Sequence, residues 1–532
     1  MPIRWLSHAQ PFALLLLVFA YTWLYGTKGI NETDGGFLTG LAWQLLNGKA
    51  LYADVVYVRP PLPVWQRAFE LMLLPEAWAV LGERLIFYLK VAAYSALGAF
   101  ILLPAHPSRW AVALFAFVLS AHHYPAMAWH TVDGLFWGAL GLWVLFRHPT
   151  RWSGVLAGVL LAASMLCKQS FYPIAAIGVG VAAWRYSWRY AVQVGLGLAL
   201  GWAAFAAYLQ TFKLWDGFWQ MTTGATSLTQ AVQHGGLDYF RIHPAVALLS
   251  MPCLAAAWWL GVNRPHSLWA LRSWVTWWFV LGATYLWSVF VRHEFTVPFA
   301  QLRLLFWVAN TYALWQWHHG MWSSHRLARY TALVGLSWCA AVSWGYNLPI
   351  LFSVPWIFAL WDATRRLGLT TRVSLSRIGL PAFVGLFAVF AVSGEWVYRD
   401  GRRSDMTMPL GDIFPALTGI CSTPQKAALY SDLARLMRRY GPEATVLPAF
   451  PQANFLTQTS PPLPLDWVVS REMGRYAGFV EAEARRRKAV FFLEKTALPA
   501  LDTDPELTLV KQLYDQGKVL EETPFFRVFC LP

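Results

Sequence analysis

Apolar residues in this chain gather into long runs, not into alternating or strictly amphipathic patterns. A run of about twenty mostly apolar residues is long enough to cross a hydrocarbon core. About thirteen such runs are read, at 10–26, 83–103, 109–128, 132–147, 152–167, 170–184, 190–209, 243–262, 273–291, 297–317, 329–346, 348–361 and 377–394. They predict an α-helical polytopic membrane protein. Several contain Gly, Pro or Trp, which membrane helices tolerate. The first run lacks a small-residue cleavage site and leads through Tyr25-Gly26-Thr27-Lys28 into an acidic segment, so it is taken as a span and not as a signal peptide.

Two larger polar segments interrupt the runs. In 27–82 the spacing of Phe37, Leu38, Leu41, Ala42, Leu45 and Leu46 predicts an amphipathic helix lying on the membrane, ended by Asn47-Gly48. A second such helix is predicted over Val64–Leu74. The other segment, 210–242, is rich in aromatics, Gly, Thr and Gln. After Gly394 the pattern changes to a helical stretch, Gln425–Tyr440, and short β-rich runs at Ala444–Leu447, Lys488–Leu493 and Phe525–Cys530. That mixture predicts a small α/β soluble domain. The chain divides into a membrane part, 1–394, and a tail, 395–532. No internal repeat, nucleotide-binding glycine motif or nucleophile elbow is present.

Charge orients this arrangement. The net charge is +14, yet its placement argues against nucleic acid as a partner. With Arg4 inside, the inward segments carry 14 basic residues against one acid, Asp362, while the tail carries 17 of each sign. The excess is therefore the positive-inside signal. It predicts an integral protein of a bacterial inner membrane, with a cytoplasmic N-terminus and, for an odd number of spans, a periplasmic tail. Cys167, Cys253 and Cys339 fall in or at the ends of apolar runs, as packing residues do. Cys421 and Cys530 share the tail, where a bridge would close a loop of about 110 residues; two unpaired buried thiols are the alternative.

The candidate chemistry sits at the outer face. Asp34, in Glu32-Thr33-Asp34-Gly35-Gly36, directly follows the first span, and its glycines would let backbone approach a bulky ligand. A carboxylate there suits a general base taking a proton from an acceptor hydroxyl; a solvated loop acid is the bland reading. Arg59, in Tyr57-Val58-Arg59-Pro60-Pro61, suits a two-pronged phosphate contact, against a simple headgroup contact. Asp133, in His130-Thr131-Val132-Asp133-Gly134, and Lys168, in Cys167-Lys168-Gln169, lie in outward turns that could pair as an ion pair or serve the site. Lys90 and Arg303 lie about two turns inside their helices, either snorkelling or lining a phosphate cavity. Glu32, Tyr57 and His130 are candidate lining residues. His122, His123 and His130 crowd one helix end without the carboxylates of a zinc triad. No motif requires a cofactor, and a divalent cation is left open.

The order of these features resembles the C-type glycosyltransferase superfamily (GT-C), in its bacterial branch near protein O-mannosyltransferases and lipid A aminoarabinose transferases. The resemblance rests on the acid after span one (Asp34), the basic-Pro motif in the same loop (Tyr57-Val58-Arg59-Pro60-Pro61-Leu62), Asp133-Gly134-Leu135-Phe136 opening span four, and Lys168-Gln169 before span six. It implies an inverting transfer of a sugar from a polyprenyl-phosphate carrier to a lipid or glycan acceptor. Asp34 and Asp133 would be catalytic; Arg59, Lys168 and Arg303 would meet the donor phosphate. Thr33-Asp34-Gly35-Gly36 departs from the paired acids of many relatives, leaving open whether Asp34 acts with Glu32. The rival class, a transporter or lipid flippase, predicts inverted repeats and charges near the bilayer midplane; a non-catalytic scaffold is a third reading.

Overall fold

The structure, a computed structural model, describes residues 4–121, 125–147, 150–223, 299–342, 352–366 and 395–532, with residues 255, 259 and 272 alone between them. The spans expected at 243–262, 273–291 and 377–394, most of segment 210–242, His122, His123 and Cys253 lie outside the described residues, so the count of spans rests on the sequence.

Within the described residues the apolar runs are helices: α1 (Arg4–Tyr21), α2 (Phe37–Leu46), α3 (Leu62–Leu73), α4 (Ala79–Leu102), α5 (Arg109–Ala121), α6 (His130–Arg147), α7 (Arg151–Met165), α8 (Pro173–Arg185), α9 (Trp188–Thr211) and α10 (Trp215–Thr223), followed by Phe299–His318, Ser324–Ala341 and Val354–Arg366. The stretches Glu76–Leu102 and Trp188–Thr211 are long and apolar enough to cross a membrane. Phe12 and Leu16 on α1 and Trp188, Leu196 and Leu200 on α9 stand exposed, an apolar surface that suits lipid as the solvent. Helices α7 and α9 meet backbone to backbone. A Cβ on Gly158 would lie 2.1 Å from the Val194 carbonyl oxygen, and one on Gly197 would lie 2.0 Å from that of Val155. Only glycine permits this approach, which replaces the absent hydrophobic drive between membrane helices with close packing.

The two helices of the first loop have different fates. In α3, Val64, Arg67 and Ala68 are buried while Phe69, Met72 and Leu73 are 60–71% exposed, as an interfacial helix requires. Helix α2 has the expected bounds but not the expected place. It is buried on nearly every side because the tail covers it: the Trp43 indole donates to the Thr459 carbonyl at 2.8 Å.

The tail has a two-stranded sheet, β1 (Met408–Pro409) with β2 (Cys421–Ser422), and a four-stranded sheet. The latter joins β3 (Ala444–Leu447), β4 (Val490–Glu494), β5 (Lys518–Glu522) and β6 (Phe526–Cys530) in the order β3-β4-β6-β5. Strands β3 and β4 are parallel, with Val446 opposite Phe492; β6 runs antiparallel to β4, with Val528 opposite Phe492. The edge strand β5 escapes a hydrophobicity reading because Lys518, Glu521 and Glu522 dominate it. Helix Pro424–Tyr440 starts at the Thr423 cap and stops at Gly441, whose φ of +77° suits glycine.

The disulfide expectation fails. Cys421 and Cys530 are both free, because they belong to different sheets. Cys421 lies in β2, where its N–H donates to the Thr27 carbonyl at 2.8 Å and its carbonyl accepts from Gly29 N–H at 2.8 Å. Cys530 ends β6 between Val490 and Lys518.

Candidate functional site

The segment that carries Asp34 is fixed from two sides. From α4, the Arg84 guanidinium donates to the Gly26 and Gly29 carbonyls at 2.6 and 2.7 Å. From the tail, Asp400 Oδ2 accepts from Ile30 N–H at 2.8 Å, and Lys426 pairs with Glu32. Glu32 is buried against the tail, and burial holds its carboxyl above the usual range despite Lys426. Asp34 then opens a short 3-10 turn, Asp34–Gly36, that runs into α2. Its Oδ2 accepts from the Tyr398 hydroxyl at 2.9 Å, and Arg399 Nε lies 3.9 Å away. Gly36 has a different use from the one expected. A Cβ there would come within 2.6 Å of Gln452 Cβ, so this glycine admits the tail.

One turn beyond Asp34, Phe37 connects to the second half of the site. The Arg59 guanidinium stands over its ring, 5.2 Å from the centroid, and the ring also packs on Trp129, His130 and Trp467. Arg59 presents its fork to a carboxylate from the tail: Nη1 and Nη2 donate to Glu472 Oε2 and Oε1 at 2.6 and 2.7 Å. The turn is shaped by the Tyr52 hydroxyl donating to the Arg59 carbonyl at 2.6 Å and by Gln169 donating to the Val58 carbonyl at 2.7 Å. That second bond brings the Lys168 turn beside Arg59. Burial, reinforced by the Arg59 charge and opposed by Glu472, brings the Lys168 ammonium down to about 7. Burial alone would raise the Glu472 carboxyl, but Arg59 outweighs it and leaves the group below its ordinary value.

Tyr57 and His130 are joined to each other. His130 Nε2 and the Tyr57 hydroxyl are 2.8 Å apart and the rings stack, yet both side chains are closed off from solvent. They back the Arg59 turn instead of facing an open cleft. Asp133 lies inside the first turn of α6 and pairs with Lys90 at 2.6 Å, so the expected pairing with Lys168 is replaced. Lys90 also meets Glu70 at 3.2 Å, and Arg67 bridges Glu70 at 3.2 Å to Glu83 at 2.6 Å. Five buried or half-buried charges thus tie α3, α4 and α6 together. Arg303 lies on helix Phe299–His318, and its side chain is outside what is described. Among the described residues no group of three His, Cys, Asp or Glu could hold a metal ion.

The Lys90 network has a testable consequence. Lys90→Met should lower unfolding stability in detergent by about 3–5 kcal/mol, because it leaves Asp133 without its cation in a nearly dry site, while Glu70 keeps only Arg67. A melting temperature equal to that of the wild type would show that water reaches these carboxylates.

Tyr398, Arg399, Lys426 and Glu472 were missed by sequence reasoning. All four lie in a tail whose charges balance, and only their arrival at the first loop reveals them.

No family model and no curated protein matches the chain. Solved structures do match. The crystal structure of ArnT from Cupriavidus metallidurans bound to undecaprenyl phosphate is similar at 11% identity and a TM-score of 0.47, covering 100% of this chain and 98% of that one. The same protein in its apo state is similar at 13% identity and a TM-score of 0.44, covering 98% of each chain. The Archaeoglobus fulgidus oligosaccharyltransferase tethered with an acceptor peptide follows at 12% and 0.41, covering 99% of this chain and 74% of that one. Both proteins are GT-C members. Likenesses this distant carry no weight for the activity, which has to come from the residues.

Proposed function

We propose that this chain is a membrane glycosyltransferase that moves a sugar from a polyprenyl-phosphate carrier to a lipid or glycan acceptor at the periplasmic face of a bacterial inner membrane. The observation that carries the reading is the seam at Phe37. Asp34, just past span one, lies one turn before Phe37, whose ring the Arg59 guanidinium covers at 5.2 Å, and the Lys168 turn is tied to the Arg59 turn through Gln169. Asp34 takes the acceptor's hydroxyl proton, and the freed oxygen pair attacks the anomeric carbon from the face opposite the phosphate. The carbon–oxygen bond to phosphate breaks, its electron pair leaves with the polyprenyl phosphate, and the anomeric configuration inverts. Arg59 and Lys168 stabilise the charge that develops on that phosphate, with Arg303 as a further candidate contact. Asp133 is assigned to holding α6 against α4 through Lys90, and Glu32 to fixing the loop.

Purified protein, presented with a panel of radiolabelled polyprenyl-phosphate sugars and membrane lipid or glycan acceptors, should release polyprenyl phosphate from at least one donor. Failure to consume any donor in the presence of acceptor would overturn the reading.

A further inference from the structure

Three consecutive tail residues bond to three positions of the Asp34 segment. Asp400 Oδ2 accepts from Ile30 N–H at 2.8 Å and is itself held by the Ser422 hydroxyl at 2.6 Å. Arg399 Nη1 donates to the Thr33 hydroxyl, and its Nε lies 3.9 Å from Asp34 Oδ2. The Tyr398 hydroxyl donates to that same Oδ2 at 2.9 Å. The bonds to Ile30, Thr33 and Asp34 link residues more than 360 positions apart, so they exist only because the tail folds back onto the first loop.

The tip of this turn is not in a relaxed conformation. Arg399 has φ +57°, a left-handed value uncommon for a residue with a Cβ. Such a conformation persists where surrounding bonds over-determine it. Here it points the Tyr398 and Arg399 side chains at one carboxylate and its neighbour, while Asp400 anchors the turn behind them. Burial, followed by the charge and hydrogen bond of Asp34, holds the Tyr398 phenol up to about 12. It therefore stays a donor across the neutral range.

We propose that Tyr398 and Arg399 are positioning residues for Asp34, a clasp from the tail that fixes which carboxylate oxygen faces the acceptor. One oxygen is engaged by the clasp, so the other is the one left to take the proton. This rests on the reading of Asp34 as the base. It assigns the tail a part in the chemistry: the base is aimed only when the tail is docked.

Tyr398→Phe and Arg399→Gly test it. Phenylalanine keeps the ring and loses the donor; glycine accepts φ +57° and loses the guanidinium. Each should lower kcat about tenfold, within what a misplaced catalytic group costs. Donor binding, read as the Kd for a polyprenyl-phosphate sugar, and the melting temperature should stay at wild-type values. Unchanged kcat in both variants would overturn the clasp, as would a kcat loss matched by weaker donor binding or a lower melting temperature. Asp34→Asn, assayed alongside, separates the two ideas. If that variant turns over like wild type, the base reading fails and the clasp falls with it. If it is inactive while both clasp variants work normally, only the clasp fails.

Discussion

Asp34→Asn is expected to insert and fold like the wild type yet lose about two orders of magnitude or more in transfer, the scale of removing a general base. The side chain is 13% exposed and its Oδ2 accepts one strong hydrogen bond from Tyr398. Asparagine can keep that acceptor with its amide oxygen, so geometry should survive while the proton acceptor is lost. The loss should fall on kcat, with donor binding little changed, because the proton moves only in the transfer step. Glu32→Gln is the control. Glu32 pairs with Lys426 beneath the loop, so its loss should loosen the segment and give a milder defect accompanied by a lower melting temperature. Wild-type turnover in Asp34→Asn, measured as polyprenyl phosphate released, would remove Asp34 from the chemistry.

Local signals in the sequence were legible, and long-range pairings were not. Helix α2 occupies Phe37–Leu46 as its apolar spacing indicates, and Pro424–Tyr440 and Ala444–Leu447 also fall where expected. Periodicity is a property of neighbouring residues, and it survives whatever the helix later packs against. What covers α2 is a different matter. Its apolar face suits a membrane surface and the underside of a domain equally well, and only Pro451, Gln452 and Thr459 decide for the domain. The charges behave the same way. Asp34, Arg59, Asp133, Lys168 and Lys90 could each be picked out from position alone, but Tyr398, Glu472, the Lys90–Asp133 pair and the Lys168–Arg59 proximity required the folded chain. Gly36 shows the ambiguity at a single residue, since a ligand and a docking tail both ask for a missing Cβ. The cysteines show it for a pair: shared compartment says nothing about which sheet each strand joins.

The second large effect is expected at Arg59, where the tail complicates the obvious experiment. Arg59→Ala would remove a phosphate contact and also strand Glu472, a carboxylate only 5% exposed. Stranding a buried partner costs about 3–5 kcal/mol by itself, so lost activity in the single variant would be ambiguous. The double variant Arg59→Ala with Glu472→Gln removes both charges and should recover most of the melting temperature. Its affinity for a polyprenyl-phosphate sugar should nonetheless remain at least about tenfold below wild type, since a lost charged contact is worth about 1.5–3 kcal/mol. Arg59→Lys should fall between, keeping the charge without the fork. Glu472→Gln alone should strengthen binding, because the donor phosphate no longer competes with a carboxylate for the guanidinium. The pH dependence has a defined sign. The donor is a phosphodiester and keeps a single negative charge across the neutral range, whereas Lys168, at about 7, is a cation below that pH and neutral above it. Donor affinity should therefore weaken as pH rises through about 7, and Lys168→Met should flatten that slope. Wild-type affinity in the double variant would reduce Arg59 to a fastening for the tail, with Lys168 left as the phosphate contact.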